Sequence, residues 1–130
     1  MDAKGTLSPA ILDALPAKVR ADVLKNAKQR TFAAGDVVVE EGESALNLFI
    51  VASGHARIEK SGAGVVGRMG PGDFFGEIAL LDDTNRTATV IADDELTCYL
   101  IPIWEFRALL EAHPRMALPM LHKVIDRLHG

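Results

Sequence analysis

The sequence contains a single cysteine, Cys98, so the chain cannot form an intrachain disulfide. Its neighbours in LTCYLIPI are apolar, which is typical of a small buried hydrophobic side chain rather than a reactive thiol. Long hydrophobic runs are also missing. The longest stretch without a charge, Ser44 to Ala56, is shorter than the roughly 18 to 20 residues that a membrane-spanning helix needs. We therefore expect no membrane span.

Basic clusters and a secretory leader are absent as well. Lysine and arginine never gather beyond two neighbouring residues, and the net charge is −4, which argues against a nucleic-acid or anionic-membrane surface. The first residues, MDAKGTLSPAILDALPAKVR, lack the basic, apolar and small-residue order of a signal peptide. We expect a cytoplasmic protein whose partners include neither nucleic acid nor a membrane.

The histidines are too scattered for a metal enzyme. Three of the four, His113, His122 and His129, lie in or beside the terminal helices, His55 stands alone, and no H-x-H pair occurs. A metal-dependent barrel enzyme needs clustered histidines and a carboxylate on neighbouring strands. No serine lies in a turn like that of a hydrolase nucleophile. The sequence predicts no catalytic residues, no metal and no cofactor.

Length and composition predict one globular domain. The chain has 130 residues, of which 48% are hydrophobic and 25% charged, enough to bury a single core. From Thr31 onward, short β-branched runs are separated by glycines at regular spacing, a texture typical of an antiparallel sandwich or barrel. The predicted strands are Asp36–Glu40, Asn47–Ser53, Ala56–Lys60, Val65–Met69, Thr87–Ala92 and Leu96–Pro102.

Three of these runs have an informative polarity pattern. In HARIEK polar and apolar residues alternate, which predicts a strand with one solvated face, whereas LFIVAS and TCYLIPI are nearly continuous apolar runs that predict strands covered on both sides. The expected fold class is mainly β with flanking helices. It is an antiparallel, jelly-roll-like β-barrel with N-terminal helices and two C-terminal helices.

Helical segments are predicted at both ends of the domain. Ser8-Pro9 and Pro16 are helix-start signals, and residues 8–28 carry apolar side chains at nearly helical spacing. After Pro102, IWEFRALLEAH predicts one helix, His113-Pro114 interrupts it, and a last helix follows in which Pro119 marks a kink or the true start. The domain therefore divides into a lead-in over 1–30, a barrel over 31–102 and C-terminal helices over 103–130.

The stretch FFGEIALLDDTNRTATV, residues 74–90, carries the clearest functional signal. Gly76 predicts a tight turn that opens onto a short helix, whose N-terminal amides attract an anion. Glu77 lies in that first turn, where a carboxylate can bind a ligand hydroxyl, and the fork of donors on Arg86 matches a phosphate. Two alternatives remain open: Arg86 pairs with Asp82 or Asp83, and Glu77 caps the helix.

This stretch resembles the phosphate-binding cassette of the cyclic-nucleotide-binding domain family. That family includes domains of cAMP-dependent protein kinase regulatory subunits, of cyclic-nucleotide-gated channels and of bacterial catabolite activator proteins. FAAGDVVVEEGESALNLFIVASGHARI is similar to the opening strands of the family, and MGPGDFFGEIALL is similar to the approach to the cassette. The resemblance covers roughly residues 30–128.

The resemblance implies a set of ligand-binding roles. Glu77 matches the glutamate that binds the ribose 2′-hydroxyl, and Arg86 matches the arginine that pairs with the cyclic phosphate. The remaining cassette positions that line the sugar-phosphate are Gly76, Ile78, Ala79, Thr87 and Ala88. A threonine at the position of Thr87 is compatible with cGMP as well as cAMP, so cAMP is the expected ligand and cGMP stays open.

The last helix resembles the lid that closes over the base in this family. Its candidate lid residues are Leu121, Val124 and Ile125, although an apolar stripe there could equally form a core face or pair with a second copy in a homodimer. Ligand binding is expected to draw the cassette inward, so that the C-terminal helices move.

The segments that produce an output in the relatives are not found in these 130 residues. Transcriptional relatives continue into a DNA-binding domain, kinase subunits carry a pseudosubstrate and tandem domains, and channels carry membrane helices. The resemblance therefore implies an effector protein or domain that the sequence does not identify. The alternative function is a ligand-free dimerisation or docking module with the same fold.

Overall fold

The computed structural model describes residues 10–44, 46–76, 86 and 88–129. This part of the chain contains eight strands and three α-helices, besides 3-10 turns at Ala10–Leu12 and Pro114–Met116. The α-helices are α1 (Ala17–Asn26), α2 (Ile103–Ala112) and α3 (Ala117–His129). The strands are β1 (Lys28–Phe32), β2 (Val37–Val39), β3 (Asn47–Ser53), β4 (Ala56–Lys60), β5 (Gly64–Met69), β6 (Phe74–Phe75), β7 (Thr89–Ala92) and β8 (Leu96–Pro102).

The strands form two four-stranded antiparallel sheets. The first sheet has the order β1-β8-β3-β6 and the second has the order β2-β7-β4-β5. The predicted mainly-β, jelly-roll-like fold with flanking helices is confirmed, but the barrel closure was wrong. Each sheet keeps its own edge strands, so the two sheets face each other as an open sandwich rather than joining into a cylinder.

The core consists of two layers, one on each face of the first sheet. Alternate residues of a strand point to opposite faces, so β3 sends Leu48 and Ile50 to one layer and Phe49 and Val51 to the other. The helix-side core, between the first sheet and the helical segments, contains Ile11, Leu12, Leu15, Val23, Leu48, Ile50, Phe74, Tyr99, Ile101, Phe106, Met116 and Met120. The sandwich core, between the two sheets, contains Phe32, Val39, Phe49, Val51, Ala56, Met69, Phe75, Val90, Ala92, Leu96, Cys98 and Leu100.

The second sheet has one solvated face, as the alternation in HARIEK predicted. On β4, Ala56 is buried in the sandwich, whereas Arg57 forms ion pairs outside it with Glu59 at 2.8 Å and with Asp93 at 2.7 Å. Arg68 on β5 reaches the same Asp93 at 3.1 Å. These carboxylates raise the pKa of Arg57, the Glu59 hydrogen bond first, so the wet face is a network of charges rather than an apolar surface.

The helix boundaries follow the prolines. Pro16 caps α1 and Pro102 caps α2, positions at which the missing backbone donor costs no hydrogen bond. Pro119 is the third residue of α3, so it lies in the first turn, where backbone N–H groups have no acceptor within the helix. The prediction that Pro119 marks the helix start is therefore close to what the structure shows. None of the helices in the described ranges is long and apolar enough to cross a bilayer.

The lead-in helix is shorter than the sequence predicted. The helical pattern over residues 8–28 ends at Asn26, and Lys28–Phe32 forms β1 instead. Four of the five β1 residues are exposed, so the strand has no apolar pattern to detect; it exists because its backbone pairs with β8 from Lys28 opposite Leu100 to Phe32 opposite Leu96. The two-residue strand β6 was missed because it is too short to show a pattern.

Candidate functional site

The candidate site is built around Gly76 and Arg86, two of the residues that the sequence singled out. Gly76 directly follows β6 and has a φ of +99°, a backbone conformation that L side chains rarely adopt. A Cβ atom at this position would lie 2.5 Å from Nη1 of Arg86 and 2.8 Å from the Asn47 carbonyl oxygen. Gly76 is therefore required both for the turn and for the space that the guanidinium occupies.

Arg86 is held by its backbone and by its side chain. Its N–H donates to the Glu43 carbonyl at 2.8 Å, and its own carbonyl accepts from the Gly42 N–H at 2.9 Å. Its Nη2 donates to the Asn47 carbonyl at 2.9 Å. These contacts tie Arg86 to the segment before β3 and to the first residue of β3, so the half-buried guanidinium has a fixed place beside the sheet.

An aromatic pair lies next to the guanidinium. Cζ of Arg86 is 5.5 Å from the ring centroid of Phe49, within the range of a cation–π contact. On its other side Phe49 stacks on Phe75, with ring centroids 4.7 Å apart and an angle of 7° between the planes. Both phenylalanines belong to the sandwich core, so the guanidinium rests on a packed part of the molecule.

Arg86 opens onto a cavity of about 400 Å³, a volume typical of small-molecule sites. Its lining residues are Arg30, Val38, Val39, Glu43, Ser44, Leu46, Asn47, Phe49 and Arg86. Two arginines and one glutamate give this wall a net positive charge, while valine, leucine and phenylalanine supply apolar surface. A cavity of this composition can take an anionic group together with an apolar or aromatic body.

The other predicted cassette residues are only partly within the described residues. Ala88 is half-buried immediately before β7. Glu77, Ile78, Ala79 and Thr87 lie outside the described residues, and so do Asp82 and Asp83, the alternative partners of Arg86. The structure thus brings Gly76 and Arg86 together, and the remaining cassette assignments stay predictions.

The candidate lid residues lie on α3 (Ala117–His129). Leu121 is 54% exposed and Ile125 is 46% exposed, and Leu118 shares this exposure one turn earlier. The side chain of Val124 lies outside the described residues. The exposed residues follow one helical face at spacings of three and four, so part of the predicted stripe faces outward rather than into the helix-side core.

Sequence reasoning missed Asn47, Phe49 and Phe75. Asn47 contributes a backbone carbonyl, for which no side-chain signal exists. Phe49 lies within LFIVAS and Phe75 within GDFFGE, where an aromatic residue indicates only a core position. Side chains alternate between the two faces of a strand, so Phe49 shares a face with Val51, and the sequence could have predicted a core position for its ring. It could not have predicted the contact with Arg86.

Other chemically capable groups lie apart from this site. Cys98 is fully buried, and burial raises the pKa of its thiol to about 12, so the predicted buried hydrophobe is confirmed. His55 donates its backbone N–H to Asp94 and pairs with it through Nδ1 at 2.8 Å, which lowers the pKa of that carboxyl. Among the described residues no group of three histidine, cysteine or acidic side chains is arranged to hold a metal ion.

Comparison with known proteins gives a family match at the level of sequence and a similar fold at the level of structure. A family model described as the cyclic nucleotide-binding domain matches residues 29–113. The cAMP-dependent protein kinase regulatory subunit of Debaryomyces hansenii is 37% identical over 84 residues, which are 65% of this chain and 19% of that protein. Glutaminase 2 of Bradyrhizobium diazoefficiens is 31% identical over 115 residues, 88% of this chain and 18% of that protein.

A solved structure shares the whole architecture. The catabolite activator protein of Thermus thermophilus has a TM-score of 0.79 and 24% identity, over 92% of this chain and 58% of that chain. This likeness shows the fold. The chain spans about a fifth of the length of the two curated relatives, which are themselves proteins of different kinds.

Proposed function

The chain belongs to the cyclic nucleotide-binding domain family, and we propose that it binds cAMP, with cGMP as the second candidate, and signals through its C-terminal helices. The family is one of regulatory ligand-binding domains rather than of catalysts. The D. hansenii relative is named for its dependence on cAMP, which favours cAMP over cGMP for this chain. The similarity to glutaminase covers 18% of that enzyme, so we carry no glutaminase activity over.

The placement of Arg86 beside Gly76 is the observation that carries this proposal. A guanidinium presents a planar fork of donors that matches a phosphate, and here it is fixed against a turn whose glycine leaves room for it. We assign the cyclic phosphate to Arg86, with Thr87 and Ala88 beside it. We assign the ribose 2′-hydroxyl to Glu77, the backbone lining to Gly76, Ile78 and Ala79, and the base lid to Leu121, Val124 or Ile125.

A short backbone path supports coupling between the site and the helices. The carbonyl of Asn47 accepts from Arg86, and the carbonyl of its neighbour Leu46 accepts from the N–H of Ile103 at 2.9 Å. Ile103 is the first residue of α2, so two adjacent peptide groups contact the arginine and the start of the C-terminal helices. A phosphate that shifts Arg86 would be felt at α2, and the ligand would favour whichever arrangement of the helices it binds better.

The effector is a protein or domain that the sequence does not identify, in keeping with relatives that are several times longer. The simplest alternative partner is a second copy of this chain that binds through α3, because Leu118, Leu121 and Ile125 are exposed on one helical face. The rival function, a ligand-free dimerisation or docking module, would use the same face without a nucleotide. We place the protein in the cytoplasm, where cyclic nucleotides act as signals.

Isothermal titration calorimetry with cAMP and with cGMP tests the site. We expect wild-type protein to bind with micromolar or tighter affinity, about −8 kcal/mol, because a cyclic nucleotide combines a charged phosphate with a stacking base. Arg86→Ala should weaken binding by about 100-fold or more, since charge-assisted hydrogen bonds contribute roughly 1.5–3 kcal/mol each. Arg68→Ala, which removes an exposed arginine on the wet face of the second sheet, is the matched control and should bind like wild type.

Two outcomes would count against the proposal. If a folded wild-type protein gave no heat with either nucleotide, the docking-module function would replace nucleotide binding. If the nucleotide bound but amide exchange in residues 103–128 stayed the same with and without saturating ligand, the binding site would stand and the helix movement would be wrong.

A further inference from the structure

We infer that Phe49 is a positioning residue for ligand binding: its ring, backed by Phe75, holds the Arg86 guanidinium in the orientation that meets the phosphate. This inference rests on the proposed function, because it assigns a role to Phe49 only through the arginine. Phe49 is not part of the cassette that the sequence identified, and it lies on β3, far from Arg86 along the chain.

The contacts around the guanidinium fix three of its sides. The Phe49 ring lies under it at 5.5 Å, the Asn47 carbonyl accepts from Nη2 at 2.9 Å, and the bare Cα of Gly76 allows Nη1 to approach the turn. The hydrogen bond to Asn47 fixes one edge of the guanidinium, and the ring contact acts on its plane. A ring face restrains that plane because the negative face of the aromatic quadrupole attracts the delocalised cation.

The ring itself is held in place. Phe49 is 5% exposed, belongs to the sandwich core and stacks nearly parallel on Phe75. Phe75 is the residue before Gly76, so the same short segment supplies the turn and the second ring. Stacking of Phe75 on Phe49 thus links the position of β6 to the ring beside the guanidinium.

An internal comparison provides the control. Phe32 on β1 is also 5% exposed, belongs to the same sandwich core and carries an arginine over its ring, Arg30 at 5.1 Å. Substituting leucine at either phenylalanine removes an aromatic ring of equal burial from the same core. The two variants should lose similar thermal stability, but only one of them removes the ring under Arg86.

The test measures the cAMP affinity and the melting temperature of five proteins: wild type, Phe49→Leu, Phe49→Tyr, Phe75→Leu and Phe32→Leu. We expect Phe49→Leu to weaken binding about threefold to thirtyfold, the range of a partly to fully desolvated cation–π contact. Phe49→Tyr should bind cAMP with nearly the wild-type affinity, since it keeps the ring face and Phe49 lines the cavity, where a hydroxyl has room. Phe75→Leu should weaken binding less than Phe49→Leu. Phe32→Leu, whose ring lies under Arg30 rather than under Arg86, should also weaken binding less than Phe49→Leu.

A second measurement detects the contact between the Phe49 ring and Arg86 in the absence of ligand. In the ¹⁵N NMR spectrum of the free protein, the Arg86 Nε–Hε resonance, assigned with Arg86→Lys, should be shifted upfield by the Phe49 ring current. Phe49→Leu should remove that shift and Phe32→Leu should not. A role limited to core packing would lower the melting temperature without this difference.

The outcomes separate this inference from the proposed function. Wild-type protein that binds neither nucleotide would overturn both. Wild-type protein that binds cAMP, together with equal affinity losses in Phe49→Leu and Phe32→Leu, would overturn the role of Phe49 alone. The role would also be overturned if Phe49→Tyr folded but bound cAMP as weakly as Phe49→Leu.

Discussion

The two sheets of this protein differ in how they are buried. The central strands of the first sheet, β3 and β8, are covered by the helix-side core on one face and by the sandwich core on the other. The second sheet is covered on one face only, and its outer face carries the Arg57, Glu59, Asp93 and Arg68 ion pairs. A doubly covered strand cannot shift on one face without disturbing the other, because packed interiors have few voids to absorb the change.

Under the proposed function, this difference predicts which sheet would carry the signal. On β3, Asn47 and Phe49 contact Arg86 while Leu48 and Ile50 pack against the helical segments. The candidate site and the helical segments therefore contact four consecutive residues of one strand. The second sheet closes the sandwich over that strand and meets water on its other side, so its exposed charges contribute to solubility more than to stability.

The largest effect is expected at Gly54, where the chain crosses from β3 in the first sheet to β4 in the second. Its φ is +86°, and an added Cβ would overlap the Glu95 carbonyl oxygen and lie 2.9 Å from both Asp94 Oδ1 and the Leu96 Cα. Gly54→Ala should lower the free energy of unfolding by about 4 kcal/mol or more, because backbone atoms must move. Chemical denaturation measures it.

Gly35→Ala is the control for the crossing. Gly35 has nearly the same φ, +90°, but nothing lies within 4 Å of its added Cβ. Gly35→Ala should lower the free energy of unfolding by about 1–2 kcal/mol, the strain of an alanine in the left-handed backbone conformation. Equal losses at the two glycines would mean that the overlap at the crossing is relieved cheaply and that the two sheets are less tightly joined than we conclude.

The second prediction contrasts the faces directly. Ile50 is fully buried in the helix-side core, so Ile50→Ala should lower the free energy of unfolding by about 3 kcal/mol through lost burial and a residual cavity. Glu59→Gln, on the wet face, removes one side of a half-buried ion pair that is open to water and should leave the denaturation midpoint almost unchanged. A loss at Glu59 comparable to that at Ile50 would remove the distinction between the sheets.

The burial contrast was predictable from the sequence because it depends on side-chain patterns. The runs LFIVAS and TCYLIPI predicted doubly covered strands, and HARIEK predicted a half-solvated one; the bounds of β3, β4 and β8 agree with the predicted ranges. β1 was not predictable, since KQRTF becomes a strand by pairing with β8 and not by its own pattern. The prediction of a closed barrel was wrong for the same reason, because no side-chain pattern in the sequence shows which edge strands pair.

The candidate site divides in the same way. Gly76 and Arg86 were identifiable because both lie in one short stretch that places charges beside an apolar run and resembles the phosphate-binding cassette. The Asn47 carbonyl and the Phe49 ring were not, since a backbone oxygen is present at every position and a phenylalanine in an apolar strand looks like any core residue. The sequence therefore singled out Gly76 and Arg86, but it did not show the groups that orient the guanidinium.

The smallest effect concerns the interior of the doubly covered sheet and appears only at alkaline pH. Burial of Cys98 on β8 raises the pKa of its thiol from an ordinary 9.0 to about 12. The folded state thus favours the protonated thiol. Its contribution is complete below pH 9.0 and is lost as the pH rises toward 12, where the unfolded chain ionises first, by about 1.4 kcal/mol per pH unit.

Denaturation of wild type and Cys98→Ala at pH 8 and pH 10 isolates this contribution. Cys98→Ala should be less stable than wild type at pH 8, but this difference in the free energy of unfolding should narrow at pH 10 by about 1.4 kcal/mol, because only wild type has the thiol. A gap that stays constant would mean that water reaches the thiol between the sheets. The first sheet would then exclude water on its helix side only. Tight packing on both faces of β3 could no longer explain how a change at Phe49 reaches Ile50.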